Sequence, residues 1–346
     1  MTNEKDKVTI YDIAKEAAVS PATVSRIMTG SASVSPEKRE RVTRLFKKYN
    51  FIPNQMARSL TIKKSKTIGM LLSDIRNPFY SELYVGVEMA AVQRGYNVIL
   101  CNALNDDDIE RRHMEMLLGK SVDVIFLCGG QTDNIKPSEK QMRMFSRAEG
   151  RVKIMVAGSA DYYHCNRIKI DDAAGFRRLV DYLYGLGHRK FALIGGDKEK
   201  YPTAIKRDLF QEILREKNLP YREDWMLETP RYGTVDGYEA AMRLLRRSEL
   251  PTAILGINEL VATGIAKAAS ELGLNVPADL SVAAFGNTYL ADMYSPTLTS
   301  VGCDYEEYGE RLLDLLMDTL EKGTVDQSVL VSSRLSIRNS CAAVKQ

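Results

Sequence analysis

The chain has 346 residues, 45% of them hydrophobic, which is enough for a large core and more than one domain and excludes wholesale disorder. Its 48 Lys and Arg against 45 Asp and Glu leave a net charge of +3, but the balance is uneven. Residues 1 to 66 hold 14 basic and six acidic side chains, +8, while the remainder holds 34 and 39, −5. One module is therefore suited to a polyanion, either nucleic acid or an anionic membrane, and the rest is not.

The amino terminus, MTNEKDKVTIYDIAK, is charged and has no apolar run of signal-peptide length. No later segment approaches the roughly 18 uncharged apolar residues of a membrane span, so a cytosolic protein is expected. Five cysteines (Cys101, Cys128, Cys165, Cys303, Cys341) are scattered without a CxxC pair, and His113, His164 and His188 do not cluster with them. Neither a disulfide framework nor a metal site is indicated, and the thiols read as buried and reduced.

In chain order, Thr9 and Asp12 form a capping pair opening a helix from Ile10, with Ile10, Ile13, Ala14 and Ala17 at helical spacing. Ser20-Pro21 opens a second helix, and Ser35-Pro36 repeats the device for a third running through Lys48. Only Ala17-Ala18-Val19 separates the first two, so they must turn sharply into each other. Two short helices, a tight turn, a third helix and a +8 charge form the helix-turn-helix pattern. The second helix turns Val24, Ile27 and Met28 inward and leaves Pro21, Ala22, Ser25 and Arg26 outside. Arg26 is suited to guanine, whose edge offers two acceptors to its fork.

The run Val8-Thr9-Ile10-Tyr11-Asp12-Ile13-Ala14, Val19-Ser20-Pro21-Ala22-Thr23-Val24-Ser25-Arg26, Val34-Ser35-Pro36 and Tyr49-Asn50-Phe51-Ile52-Pro53-Asn54-Gln55-Met56-Ala57-Arg58-Ser59-Leu60 resembles the DNA-binding head of the lactose/galactose repressor (LacI/GalR) family. Ala18 departs from the family's usual Gly and is slightly strained if its φ is positive. The resemblance implies a DNA-binding domain at 1–52, with contacts from Thr9, Tyr11, Ser20, Pro21, Ala22, Thr23, Ser25 and Arg26. It implies a hinge helix and linker at 53–66, with Asn54, Ala57 and Leu60 on the DNA and Leu60 wedged between base pairs. An apolar wedge in the minor groove loses stacking but bends the duplex onto more protein surface. So short a helix is unstable alone, which suits folding coupled to DNA. The bland alternative is that Leu60 is an ordinary linker residue.

Beyond Lys66 the pattern becomes short apolar runs separated by helix-length stretches: 67–72, 97–101, 124–128, 154–157, 191–194, 253–255 and 282–285. Seven continuous apolar runs alternating with helices indicate parallel sheets buried on both faces, in two doubly wound lobes. The resemblance extends here through Asn77-Pro78-Phe79-Tyr80, Leu186-Gly187-His188-Arg189, Pro251-Thr252-Ala253, Leu274 to Val282 and Pro296 to Val301, so it covers essentially the whole chain. It implies an all-α head plus an α/β body similar to periplasmic binding proteins, at 67–346. Lobe one is expected at about 67–165 and 296–323, and lobe two at about 166–295 and 324–340, with an effector cleft between them.

Carried over by resemblance, the cleft includes Asp74, Asn77, Phe79 and Tyr80 after the first strand, Asp171 after the crossover, and Tyr232 as a second aromatic wall. Each aromatic has the alternative of ordinary packing. Three positions depart from the family pattern. Its effector-gripping Arg is Lys206, beside Arg207; its Asn-Asp pair is Asn258-Glu259; and the carboxylate after its Gly-aromatic motif is replaced by Asn287. Lys removes a bidentate fork and Glu is one methylene longer, so a retuned pocket is expected.

The expected function is a DNA-binding transcription regulator, a repressor, acting as a homodimer on a pseudo-palindromic double-stranded operator. A small molecule, a sugar, would control it. The alternatives are control by a protein partner, as in catabolite control proteins, or no effector; a remote one is an α/β enzyme with an appended head. No GxSxG, GxxxxGK[ST] or HExxH motif supports an enzyme, and no cofactor is expected. His188 reads as a turn or capping residue. The chain lacks a heptad tail, which favours a dimer over a tetramer.

Overall fold

The computed structural model describes residues 8–28, 33–51, 65–159 and 162–344, and the described residues of its first unit, which ends at Ser65, form three helices. Helix α1 (Ile10–Glu16) opens on a complete capping box: Thr9 N–H donates to Asp12 Oδ2 at 2.8 Å while Thr9 Oγ1 accepts from Asp12 N–H at 3.4 Å. Ala18, in the turn that follows, has φ +52°, so the expected strain is present at that position. Helix α2 (Pro21–Met28) opens on Ser20, whose Oγ accepts from Thr23 N–H at 3.1 Å. Helix α3 (Pro36–Lys48) differs: Ser35 makes no side-chain cap bond, and Pro36 alone marks the start. Ile13, Ala14, Ala17, Val24, Ile27, Val34 and Val42 form the core, closed at one end by Phe46 and Phe51 stacked at 5.4 Å. Asn54, Ala57 and Leu60 lie outside the described residues.

The second unit starts at Lys66 and winds β1 (Thr67–Leu72), α4 (Pro78–Gln93), β2 (Asn97–Asn102), α5 (Asp107–Gly119), β3 (Val124–Cys128), α6 (Glu139–Glu149), β4 (Lys153–Ala157) and β5 (Asn166–Ile170). It continues with α7 (Asp172–Gly185), β6 (Phe191–Ile194), α8 (Tyr201–Glu216), β7 (Met226–Leu227), α9 (Thr234–Leu245), β8 (Ala253–Gly256), α10 (Glu259–Glu271) and β9 (Ser281–Phe285). Then come α11 (Tyr289–Met293), β10 (Thr299–Cys303), α12 (Tyr305–Lys322), β11 (Ser328–Val331) and β12 (Ser333–Ser336). Two six-stranded sheets result, in the orders β11-β5-β4-β3-β1-β2 and β12-β10-β9-β8-β6-β7. Every pairing is parallel except β10 with β12.

Both faces of the first sheet are covered. Ile68, Met70 and Phe126 enter one apolar cluster, while Leu71, Ile125 and Val156 enter another. That is why these strands read as unbroken apolar runs rather than alternating ones. All seven expected runs are strands; β5, β7, β10, β11 and β12 were not anticipated.

The unanticipated strands correct the expected lobe borders. The chain leaves lobe one after β5 rather than near 165, returns after β10 rather than near 296, and leaves again after β11 rather than near 323. Sheet pairing decides this: Asn166–Ile170 and Ser328–Val331 pair with each other in the first sheet, and Val301 sits beside Phe285 in the second. Three strand ends therefore form the connection between lobes. The ends of β5 and β11 are tied by Asp171 N–H on Val331 O at 2.9 Å, and Ser333 Oγ–H on Asp171 O at 2.8 Å links them to the start of β12. Helices α4 and α12 cross in backbone contact, where a Cβ at Gly309 would lie 2.1 Å from Gly86 O.

Candidate functional site

In the head, burial of Val24 and Ile27 fixes which side of α2 faces out. Pro21, Ala22 and Arg26 are exposed, Ser25 and Thr23 half-buried, and Ser20 and Thr23 hydroxyls share a hydrogen bond at 2.9 Å. Thr9 and Tyr11 are exposed on the neighbouring helix, Tyr11 by 68%. The order of exposed residues is that of a helix offered by its amino-terminal turns to a groove. The charge of α3 is partly spoken for: Arg41 pairs with Glu37 at 3.4 Å, Arg44 with Glu40 at 3.1 Å and Lys48 with Glu16 at 2.7 Å. Such exposed pairs are weak and exchange readily for phosphate.

In the body, the carboxyl ends of the parallel strands bring together residues of both lobes. Asp74, after β1, is held by Arg76 Nη2–H at 2.6 Å and Asn105 Nδ2–H at 3.1 Å, and the Arg76 guanidinium keeps its carboxyl below the usual range. Asn77 is spent capping α4, accepting from Phe79 N–H at 3.2 Å. Phe79 packs edge-on against Tyr80 at 5.2 Å and Tyr305 at 6.1 Å, so it is largely a packing aromatic. Tyr80 reaches further in, with its hydroxyl over Gly129, where φ is +80° and a Cβ would sit 2.3 Å from the oxygen. Burial, then the nearby Asp133 charge, push Tyr80 well above its ordinary value.

Asp133 ends the short turn Gly130–Asp133 after β3 and was not anticipated from sequence. Burial pushes its carboxyl up to about 6, against the pull of Lys200 and Lys206 from lobe two. The same charge is felt by Tyr232, which burial pushes up to about 12 and whose hydroxyl bonds Thr203 Oγ1 at 2.8 Å. Asp133 of lobe one thus lies within electrostatic range of Tyr80 on its own lobe and of Tyr232, Lys200 and Lys206 from lobe two.

The two lobes are also bonded directly. Lys200 Nζ donates to Asn134 Oδ1 at 2.6 Å and Gly130 O at 3.1 Å, and Ile135 N–H donates to Glu199 O at 3.1 Å. Beneath the turn, Glu110 Oε2 accepts from Gln131 N–H at 3.1 Å, and burial pushes Glu110 up to about 7.

The three departures from the family pattern resolve differently. Lys206 is buried, 3.0 Å from Asp172 Oδ1 and 5.6 Å from the Phe285 ring, so it faces the cleft with a fixed counter-charge. Arg207 points elsewhere, toward Met226 O at 3.5 Å and Glu228 at 3.8 Å. Glu259 turns into lobe two: its Oε1 accepts from Ser300 Oγ–H at 2.8 Å and Thr288 N–H at 3.2 Å, and burial pushes it up to about 7. Asn258 is also used internally, accepting from Val261 N–H at 2.8 Å and donating to Tyr232 O at 3.0 Å. Asn287 accepts from Arg338 Nη2–H at 3.0 Å, and Asp171 caps α7 through Ala174 N–H at 3.0 Å. Of the expected cleft residues, Tyr80, Tyr232 and Lys206 lie within electrostatic range of Asp133; Glu259, Asn258, Asn287, Asn77 and Asp171 are engaged by the scaffold; Arg207 turns toward Met226 and Glu228.

The five cysteines are buried. His188 is a buried tether, bonding Thr252 Oγ1 at 2.9 Å, Ser281 Oγ at 3.0 Å and Ala342 O at 3.1 Å, and burial lowers its pKa. Among the described residues no helix is long and apolar enough to cross a membrane.

A groove-reading head joined to a two-lobed binding body defines the class of ligand-responsive DNA-binding regulators. Known proteins narrow this further. The profile for bacterial regulatory proteins of the lacI family matches residues 9–54, and that for a periplasmic binding protein-like domain matches 180–341. Catabolite control protein A of Priestia megaterium is 35% identical over 96% of this chain and 99% of its own length. The HTH-type transcriptional repressor PurR of Histophilus somni (strain 129Pt) is 29% identical over 96% and 98%. The structure of the lac repressor dimer bound to operator and the anti-inducer ONPF superposes with a TM-score of 0.85 at 25% identity, covering 98% of this chain and 100% of that one. The chain belongs to the lacI family of bacterial regulatory proteins; it is a DNA-binding transcription regulator and not an enzyme.

Proposed function

We propose that the protein is a repressor that binds a pseudo-palindromic operator as a homodimer in the cytoplasm and changes its operator affinity when a small carbohydrate occupies the interlobe cleft. The observation that carries this reading is the outward set Pro21, Ala22 and Arg26 on a helix whose other side is locked into the head core. One such helix reads one half-site, so a two-fold site calls for two copies. The dimeric, operator-bound state of the lac repressor supports that arrangement.

For the cleft, aromatic Tyr80 and Tyr232 and the polar groups of Asp133, Lys206 and Asp172 suit a neutral polyhydroxylated molecule. The charge of Lys206 is balanced within the protein by Asp172, at 3.0 Å. A ligand touching both lobes binds their closed arrangement better and shifts the equilibrium by that difference. Lobe one begins at Thr67, so its rotation against lobe two moves the point where the connector is tethered.

The test is a thermal-shift screen of the full chain against mono- and disaccharides, glycosides and nucleobases, followed by operator titration with each hit. A ligand at 100 times its Kd adds about 2.7 kcal/mol of stability. A sugar that stabilises the chain and changes operator affinity supports the proposal. Silence in every class would overturn it in favour of a protein partner or no effector.

A further inference from the structure

On lobe one, α5 and α6 enclose a groove of about 350 Å³. Its rim carries five cations, Arg111, Lys140, Arg143, Arg147 and Arg151, against one carboxylate, Glu115. This concentration stands out on a body whose net charge is −5. Arg143 and Arg147 lie one helical turn apart on α6, and Arg151, just past the end of that helix, lines the same groove. Three of the cations have carboxylate neighbours: Arg111 with Glu115 at 3.2 Å, Lys140 with Asp108 at 3.0 Å and Arg143 with Glu139 at 3.2 Å. The guanidiniums of Arg147 and Arg151 have no ion-pair or hydrogen-bond partner among the described residues.

Between the cations the groove is apolar, with Met114, Leu118 and Met144 lining it. Methionine offers an adaptable, polarisable surface for a ring or alkyl portion. Ten residues line the groove, whereas a stable protein interface takes about 20–30 a side, so its scale is that of a small molecule.

The groove also has a route to the cleft. A smaller recess continuous in lining with it, through Arg111, Lys140 and Met144, adds Gln131 and Gln141. Gln141 Nε2 donates to Gln131 O at 2.6 Å, and Gln131 lies in the turn Gly130–Asp133 whose Gly130 O accepts from Lys200 of lobe two. Two hydrogen bonds therefore connect α6 to the contact between lobes.

We propose that the α5–α6 groove is a second ligand site, outside the interlobe cleft, for a small molecule bearing at least two anionic groups and an apolar or ring portion, and that its occupation acts on the interlobe turn. Two guanidiniums without ion pairs on one groove are suited to a phosphorylated ligand, since each offers a planar fork to phosphate oxygens.

The test uses the full chain and three probes: adenosine triphosphate, inorganic pyrophosphate and uncharged adenosine, titrated calorimetrically at fixed ionic strength. The triphosphate should bind saturably, pyrophosphate more weakly and adenosine undetectably. The double variant Arg147→Gln/Arg151→Gln should lose at least tenfold in affinity. Gly119→Phe should block the site without removing charge, because a Cβ at Gly119 meets nothing within 4 Å and projects beside the groove. Binding unchanged in both variants, as it would be were the anions on the basic head, overturns the proposal, and so does absence of anion binding at millimolar concentration. Equal affinity for pyrophosphate and the triphosphate overturns the apolar component. The triphosphate should also shift operator affinity in the parent chain and not in the double variant; no shift in the parent overturns the link to the turn.

Discussion

Lys200→Ala isolates one of the contacts between the lobes. The change deletes two charge-assisted bonds, to Asn134 Oδ1 at 2.6 Å and Gly130 O at 3.1 Å, and leaves the backbone bond from Ile135 N–H to Glu199 O as the remaining strut of the same bridge. A hydrogen bond involving a charged group contributes about 1.5–3 kcal/mol when shielded; Lys200 is half-exposed, which cuts each to roughly 1 kcal/mol. The pair then favours closed lobes by about 2 kcal/mol, and every 1.4 kcal/mol is about tenfold in an equilibrium. Hydrogen exchange reads this directly, because the Ile135 amide is protected only while it reaches across to Glu199. The expected result is a roughly ten- to thirty-fold faster exchange for a peptide covering 130–138, with β3 amides at Val124 to Cys128 unchanged. Equal acceleration in both segments, or none at Ile135, would refute the latch.

Other outcomes follow from single residues. Glu259 has its folded pKa raised to about 7 from 4.5, chiefly by burial, so folding takes up a proton and this group's stability contribution is lost as pH rises from the unfolded value through 7. Glu259→Gln keeps an acceptor for Ser300 and Thr288 without the buried charge, and should raise Tm at pH 8 while changing it little at pH 5; thermal melts at the two pH values check the sign. Gly309→Ala places a Cβ 2.1 Å from Gly86 O, forcing α4 and α12 apart, and should destabilise the body by about 1–3 kcal/mol in urea unfolding. Arg26→Ala should relax operator specificity at one base position of each half-site by roughly 1–3 kcal/mol, measured with single-base operator variants; a uniform loss over all positions would make Arg26 a phosphate contact.

What was legible in the sequence was local. The capping pair Thr9–Asp12 and the Ser20-Pro21 start are decided within a few residues, so the head helices and the outward face of α2 could be read directly. The apolar strands of the sheet interiors were legible because they are buried on both sides, whereas the edge strand β2, with Leu100 exposed, was legible from its apolar run alone. Strand β5, Asn166-Arg167-Ile168-Lys169-Ile170, was not, because Arg167 and Lys169 break the apolar pattern and only pairing with β4 and β11 makes it a strand. The lobe borders moved for that reason: sheet membership is a non-local fact. At the cleft, the aromatic positions Tyr80 and Tyr232 and the cation Lys206 were legible by resemblance. The inward turn of Glu259 was not, since it is set by Thr288 and Ser300, 29 and 41 residues away. Asp133 was missed because a Gly-Gly-Gln-Thr-Asp turn matches no motif; its position after β3, at the carboxyl end of a parallel strand, was the available signal.

The most direct test of the account is selection of duplexes from a random pool by the full chain, repeated with Arg26→Ala. The parent chain is predicted to enrich a two-fold related pair of half-sites at fixed spacing, and the variant should keep the spacing while losing preference at one base in each half. Enrichment of a single asymmetric site, or of no sequence at all, would contradict the reading of a dimeric, groove-reading repressor.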